Sequence, residues 1–259
     1  MKDKRRSEIL PIIVFCVLFL VVWQLLYELE IWPPILFPSI TMIFKGIVKA
    51  FLVKKLGVML VHSMKLLIWG FLLGIIAATI FSGIAVMNRY FYSIYNRVVS
   101  MFDLIPGIAL VPVAILWLGI GDSAIIFMVF HSVVWPLSRA IIDGFRAIPK
   151  RYIEIGENFG LSKVELLGEI YIPASLPSFF SGIKVGWARA WRGLISAEMV
   201  FGGSALGIGY YITDRRTNLD VAGILAIIVV IIIIGALVEY GLFNMIENKT
   251  IKKWGMVRA

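Results

Sequence analysis

An all-helical integral membrane protein with about six spans is the fold class this sequence predicts, on three observations. Of its 259 residues, 60% are hydrophobic and only 16% charged, giving a mean hydropathy of +0.93, far from soluble-domain averages. Apolar runs of bilayer-spanning length recur along the chain, and lipid leaves no backbone polar group a partner outside its own helix. Lysine and arginine gather in alternate connecting segments, as the positive-inside rule requires.

The spans are read at about residues 9–28, 66–87, 99–119, 123–142, 175–201 and 221–244. The first follows Met1-Lys2-Asp3-Lys4-Arg5-Arg6 and runs past signal-peptide length with no small-residue cleavage site behind it, so it is read as retained. With a cytoplasmic N-terminus, the inner segments (the N-terminus, the loop near 88–98, residues 139–163 and the C-terminal tail) carry 15 of the 25 Lys and Arg. The outer side carries Lys45, Lys49, Lys54, Lys55, Arg215 and Arg216. Both termini are therefore expected in the cytoplasm. The net charge of +9 sets this orientation and meets anionic headgroups; it does not signal nucleic acid. The single Cys16 falls in the first span, as a lipid-facing or packed thiol. Residues 1–259 read as a single membrane domain.

After the first span, Trp32-Pro33-Pro34 breaks the chain and Ser39 is placed to cap a short helix. In that helix Ile40, Ile43, Phe44, Ile47, Val48, Phe51 and Leu52 recur at helical spacing, with Lys45 and Lys49 on another face. It lies on the outer leaflet or packs on its neighbours.

A polar island at about 147–173 follows the fourth span. Pro149 suits a helix start, Gly160 the left-handed position that ends one, and Ser162 with Glu165 a capping box that begins the next. Pro173 is expected to stop that second helix near the membrane surface. From these signals alone the elbow is either a tight connector or a working part.

Its spacing decides between them by resemblance. Glu154, the small Gly156, Gly160 six residues after Glu154, Ile170 ten further and Pro173 three beyond resemble the EAA motif of ABC-importer permeases. The chain departs from the pattern at Ile155, where that family has alanine, and at Gly156, which keeps small size but lowers helix propensity. The likeness continues through Ser63 to Gly70-Phe71, Ile105-Pro106 through Pro112, Trp117-Leu118-Gly119-Ile120-Gly121, Ala190-Trp191 through Ala197-Glu198-Met199, and Leu206-Gly207-Ile208-Gly209-Tyr210. These stretches look like the subgroup serving nitrate, aliphatic sulfonates, taurine and thiamine-precursor pyrimidines.

The resemblance implies a type I permease fold with a cytoplasmic coupling helix, in a prokaryotic inner membrane. It implies a homodimer served by two ABC ATPase subunits and an extracytoplasmic solute-binding protein. Glu154, Gly156, Glu157, Gly160, Ile170 and Pro173 would then couple to the ATPase, Glu154 facing its basic groups. The implied cargo is a small anion such as nitrate, a sulfonate or taurine, with a pyrimidine precursor, a phosphonate or an amino acid as alternatives. The outer loop from Gly202-Gly203-Ser204 to Asp220 would dock the binding protein, or be a surface turn with Arg215 and Arg216 solvated.

No Gly-x-x-x-x-Gly-Lys-Ser/Thr sequence, catalytic triad or HExxH occurs, and there are only two histidines. The chain is thus expected to be no enzyme and to hold no metal or cofactor, with ATP and Mg bound by the partner ATPase. For the pathway, Lys184, Arg189, Arg192 and Glu198 lie inside the fifth span, where a charge must face protein or water. At 100° per residue Lys184, Arg192 and Glu198 share a sector of about 120°, with Arg189 beyond its edge and Trp191 nearby. They form a candidate translocation stripe, or else snorkelling and structural pairs. Asp103 and His131 are the other ionisable groups at membrane depth, read as a helix-terminal carboxylate and a hydrogen-bonded interior residue. A proton-coupled secondary carrier would use one of them, and a passive channel neither.

Overall fold

The computed structural model describes residues 2–53, 55–201 and 206–250. Gly202-Gly203-Ser204, Lys54 and the tail residues Lys252, Lys253 and Arg258 lie outside the described residues. Among the described residues all regular structure is helical. Two compact units are distinguished, residues 1–58 with 211–232 and residues 59–210 with 233–259.

In the first unit, α1 (Lys2–Glu28) presents Cys16 on an exposed face. It gives way to the diproline turn, where Glu30 takes a positive φ of 50°. Trp23 fixes the turn by donating its indole N–H to Pro38 O at 3.0 Å while stacking on Phe37. Ser39 then caps α2 (Ile40–Leu52), its Oγ accepting from Met42 N at 3.2 Å as the sequence predicted. Only part of the apolar set on α2 is covered. Ile43, Ile47 and Ala50 are wholly or partly buried, whereas Phe44, Val48, Phe51 and Leu52 are exposed. At Gly46 the backbone runs close to Ala222 and Ala226, so the helix packs on a neighbour along one face. Arg215 is buried, held by Asp214 and, at 3.2 Å, by Asp220, so it is not the solvated charge of the surface-turn alternative, while Arg216 is exposed.

Among the described residues, four helical segments are long and apolar enough to cross a membrane: Leu10–Glu28, Leu56–Met87 (α3), Asp122–Arg146 and Val221–Lys249. The expected span at 99–119 is not one helix. The loop anticipated near 88–98 is helical instead: Asn88 caps α4 (Arg89–Phe102) by accepting from Tyr90 N and Phe91 N. The chain breaks at Asp103–Pro106, passes through a 3-10 turn (Gly107–Leu110) and continues as α5 (Val111–Leu118), bent 96° from α4. Proline explains the break, since Pro106 cannot donate and its ring drives Ile105 out of helical geometry. Pro112 does the opposite, sitting in the first turn of α5 where no N–H is needed. Counted as one bent span, this pair makes a fifth.

The second unit is built on α6 (Asp122–Arg146) and α9 (Ile172–Phe201). With 30 residues, α9 is long enough to cross, but its four charged residues keep it outside the apolar set. The two helices meet through small residues. A Cβ at Gly182 would stand 2.6 Å from Ala140 Cβ, one at Gly144 2.7 Å from Ser178 Cβ, and one at Gly193 2.6 Å from Ser132 Oγ. Gly70 and Gly74 bring α3 equally close to Val129 and Val133 of α6. Where lipid is as apolar as leucine, such close backbone approach supplies the dispersion contacts that hold helices together. The core at this junction is Leu67, Val129, Val133, Leu137 and Leu194, all essentially inaccessible.

The last span is α11 (Val221–Ala236), extended without a break by a π-helical stretch (Leu237–Phe243) and α12 (Asn244–Lys249). Between Phe201 and α11 lies α10 (Ile208–Thr217).

Candidate coupling elbow and solute cavity

The elbow folds as its capping signals dictate. After Pro149, α7 (Lys150–Asn158) ends in a paired-bond cap: Leu161 N donates to Gly156 O at 3.1 Å and Gly160 N to Glu157 O at 2.9 Å. That pattern is the Schellman motif with Gly160 at the left-handed position, φ +78°. Ser162 then opens α8 (Lys163–Leu166) with a complete capping box, Ser162 N donating to Glu165 Oε2 at 2.7 Å and Glu165 N to Ser162 Oγ at 3.4 Å. These bonds to Ser162 hold the Glu165 carboxyl below its ordinary range. The box is therefore intact at neutral pH and weakens only as acid protonates the carboxylate.

Pro173 does not end this helix, contrary to expectation. A π-helical turn (Leu167–Tyr171) follows α8 and leads straight into α9, with Pro173 in its first turn. The wider turn absorbs the bond and the space that proline denies an α-helix. Gly156 and Ile170 meet in the interior of the elbow, where a Cβ on Gly156 would stand 2.6 Å from both Ile170 Cδ1 and Leu166 Cδ2. Glu154 and Glu157 face outward. Around them Ile155, Phe159 and Val164 are exposed apolar side chains, Phe159 at 83%. Sequence reasoning missed that apolar face because it read α7 for its charges.

The five residues of the predicted stripe do not share one environment. Arg189 and Arg192 line an open cavity of about 440 Å³ together with Asp103, His131, Ser132 and Trp135. Lys184 faces elsewhere, 3.0 Å from Glu247 and 4.0 Å from Glu239, tying α9 to the C-terminal helical stretch. Trp191 is buried against Gly235. Glu198 is 2% exposed and accepts from Ser63 Oγ at 2.6 Å and from Gly209 N at 2.8 Å, while Ser63 Oγ accepts from Ile208 N. Glu198 thus clamps α3, α9 and the start of α10. Glu198→Ala would leave two buried donors without an acceptor, at a cost of about 1–3 kcal/mol each. The expected result is a thermal midpoint lower by several degrees in detergent, with Glu198→Gln restoring part of it; an unchanged midpoint in the alanine variant would remove the clamp from the account.

Asp103 is the C-cap residue of α4 at the 96° break. Its carboxylate bridges Arg189 of α9 and Arg139 of α6, the latter at 3.4 Å. Arg139 is therefore part of a helix-bridging pair and not a loop charge. Arg192 bonds only the Ala188 carbonyl of its own helix, through Nε, and no carboxylate lies within ion-pair distance among the described residues. His131 is 7% exposed, and neither ring nitrogen has a hydrogen-bond partner among the described residues; the same holds for Trp135 Nε1. The expected hydrogen bond of His131 is thus not made among the described residues, and its ring instead packs against Trp135, centroids 6.0 Å apart at 72°.

A bundle of apolar helices around an open, positively charged cavity, with a rigid polar elbow at its edge, defines a multi-pass membrane transport component. The chain belongs to the family described as "Binding-protein-dependent transport system inner membrane component", which matches residues 70–252. Among its relatives is MJ0413 of Methanocaldococcus jannaschii, named as an ABC transporter permease protein, 28% identical over 90% of this chain and 87% of that one. The nitrate import permease protein NrtB of Synechocystis sp. is 25% identical over 72% of this chain and 67% of its own length. The taurine transport system permease protein TauC of Escherichia coli is 26% identical, covering 66% and 63%.

Proposed function

We propose that this chain is the permease subunit of an ATP-driven ABC importer, acting as one membrane domain that pairs with a second copy of itself. Two ABC ATPase subunits dock on the cytoplasmic elbow, and an extracytoplasmic binding protein delivers the solute. ATP and Mg belong to the ATPase, and this chain carries out no covalent chemistry. Both termini lie in the cytoplasm. The observation that carries the reading is the elbow: its Schellman turn and capping box rigidify a helix whose outward face combines Glu154 and Glu157 with Ile155 and Phe159. A rigid, half-apolar helix end fits a groove on a partner, and α8, joined to it by the capped turn, runs through the π turn into α9, so movement of the docked partner reaches the cavity-lining arginines. ATP binding drives the cavity from inward-facing to outward-facing, and hydrolysis resets it.

The cargo is a small anion such as nitrate, a sulfonate or taurine. Arg189 and Arg192 in the cavity support this, as do the solutes for which the relatives are named. Lys184, Trp191 and Glu198 shape the pathway from behind, through the C-terminal stretch and the clamp on α10.

The test is reconstitution of the chain with its ATPase and binding protein in proteoliposomes, with the binding protein loaded in turn with nitrate, taurine or methanesulfonate. One loaded ligand should stimulate ATP turnover. Phe159→Asp should abolish co-purification of the ATPase while leaving the permease's own thermal midpoint unchanged, because the side chain touches solvent in the isolated subunit. Normal ATPase association by Phe159→Asp would remove the elbow from the coupling interface.

A further inference from the structure

Resting on the anion-importer reading, we infer that Asp103 is an internal competitor for the transported anion, a carboxylate that occupies Arg189 until the solute displaces it. Three observations meet here. Asp103 is the C-cap of α4, at the break before the 3-10 turn, and it lines the same cavity as Arg189 and Arg192. It bridges two arginines from different helices, Arg189 and Arg139, while Arg192 keeps its guanidinium free of any carboxylate among the described residues. The wall beside them holds the buried ring of His131 and the half-buried ring of Trp135, whose inaccessible nitrogens no described residue hydrogen-bonds.

The physical consequence is a site that is poised and not saturated. An anion entering the cavity meets one uncommitted guanidinium, Arg192, and one committed to Asp103. A second strong contact requires that Arg189 exchange a carboxylate for the solute, which keeps affinity low enough for release. Removal of the carboxylate leaves three arginines with no internal counter-ion, and the anion then binds too well. Tight retention is as damaging to a transport cycle as weak binding, since a site that moves its cargo must also let it go.

The experiment uses the purified permease–ATPase complex without binding protein. Its thermal midpoint is followed against sodium nitrate or sodium methanesulfonate, with sodium gluconate holding ionic strength constant. Asp103→Asn should lower the half-effect anion concentration about tenfold, the size expected for one charge a few ångströms away in a partly aqueous cavity. Asp103→Glu should return it toward the unaltered value, and Arg192→Gln should raise it. An unchanged half-effect concentration in Asp103→Asn, with anion stabilisation of the unaltered complex intact, overturns the inference alone. Absence of stabilisation by either anion in the unaltered complex overturns the anion reading and this inference with it. Should Asp103→Asn fail to assemble, Arg139→Gln is the second variant. It frees the carboxylate to hold Arg189 alone and should raise the half-effect concentration several-fold; no change there also overturns the inference.

Discussion

Gly182→Ile should leave little folded permease. A Cβ added at Gly182 would stand 2.6 Å from Ala140 Cβ and 2.9 Å from Leu137 Cδ1, and Ala140 has no flexible end to swing aside. A branched side chain there must push α9 away from α6, opening the contact along Gly144, Ser178 and Gly193 as well. Overpacking of a tight junction costs about 1–3 kcal/mol even where neighbours can adjust, and here a backbone shift is forced on the central helix pair. The measurement is yield of monodisperse protein in detergent together with its thermal midpoint. Gly182→Ala, adding a single methyl, should be intermediate. A Gly182→Ile protein with normal yield and midpoint would mean that α6 and α9 are held by something other than close backbone approach.

The second large effect is expected in coupling, not in folding. Gly160→Val places a β-branched residue at φ +78°, where even an unbranched L-residue pays about 1–2 kcal/mol. The chain can relieve that strain only by unwinding the Schellman turn, which re-aims α7 relative to α8. Solute-stimulated ATP turnover should fall to the basal rate while the membrane helices remain folded, as judged by helix content and detergent melting. Gly160→Asn, which tolerates the left-handed region, should keep most of the stimulation. Equal stimulation in the valine and asparagine variants would show that the aim of α7 does not matter to transport. The pairing of these two glycines separates two kinds of failure, one in a helix junction and one in a turn.

The elbow was the most legible part of the molecule. Its turn and its capping box rest on interactions between residues at most five apart, and short-range geometry is written in residue order. The same holds for the Ser39 cap on α2 and for the apolar lengths of α1, α3, α6 and the last span. Pro173 was misjudged for an instructive reason. A proline's effect depends on whether the preceding turn can widen, and the π turn at 167–171 is a property of how that stretch packs.

The cavity was only half legible. Charge inside a membrane-length segment singled out Arg189, Arg192, Lys184 and Glu198 as groups unsuited to lipid, because the cost of an unpaired charge in hydrocarbon is independent of fold. Which partner each would find was not encoded locally. Arg189 meets Asp103 86 residues away, Glu198 meets Ser63 135 residues away, and Lys184 meets Glu247 63 residues away. Helical periodicity placed Lys184, Arg192 and Glu198 on one stripe, yet three different neighbours face that stripe along its length.

By itself, then, the sequence determined that this chain is a helical membrane protein with a rigid polar elbow, since hydropathy, capping and glycine conformation act over a few residues. Only the tertiary structure decided which charges share a cavity and which serve as clamps. Ion pairs and buried hydrogen bonds form between helices, and the approach of those helices is set by where small residues let their backbones touch.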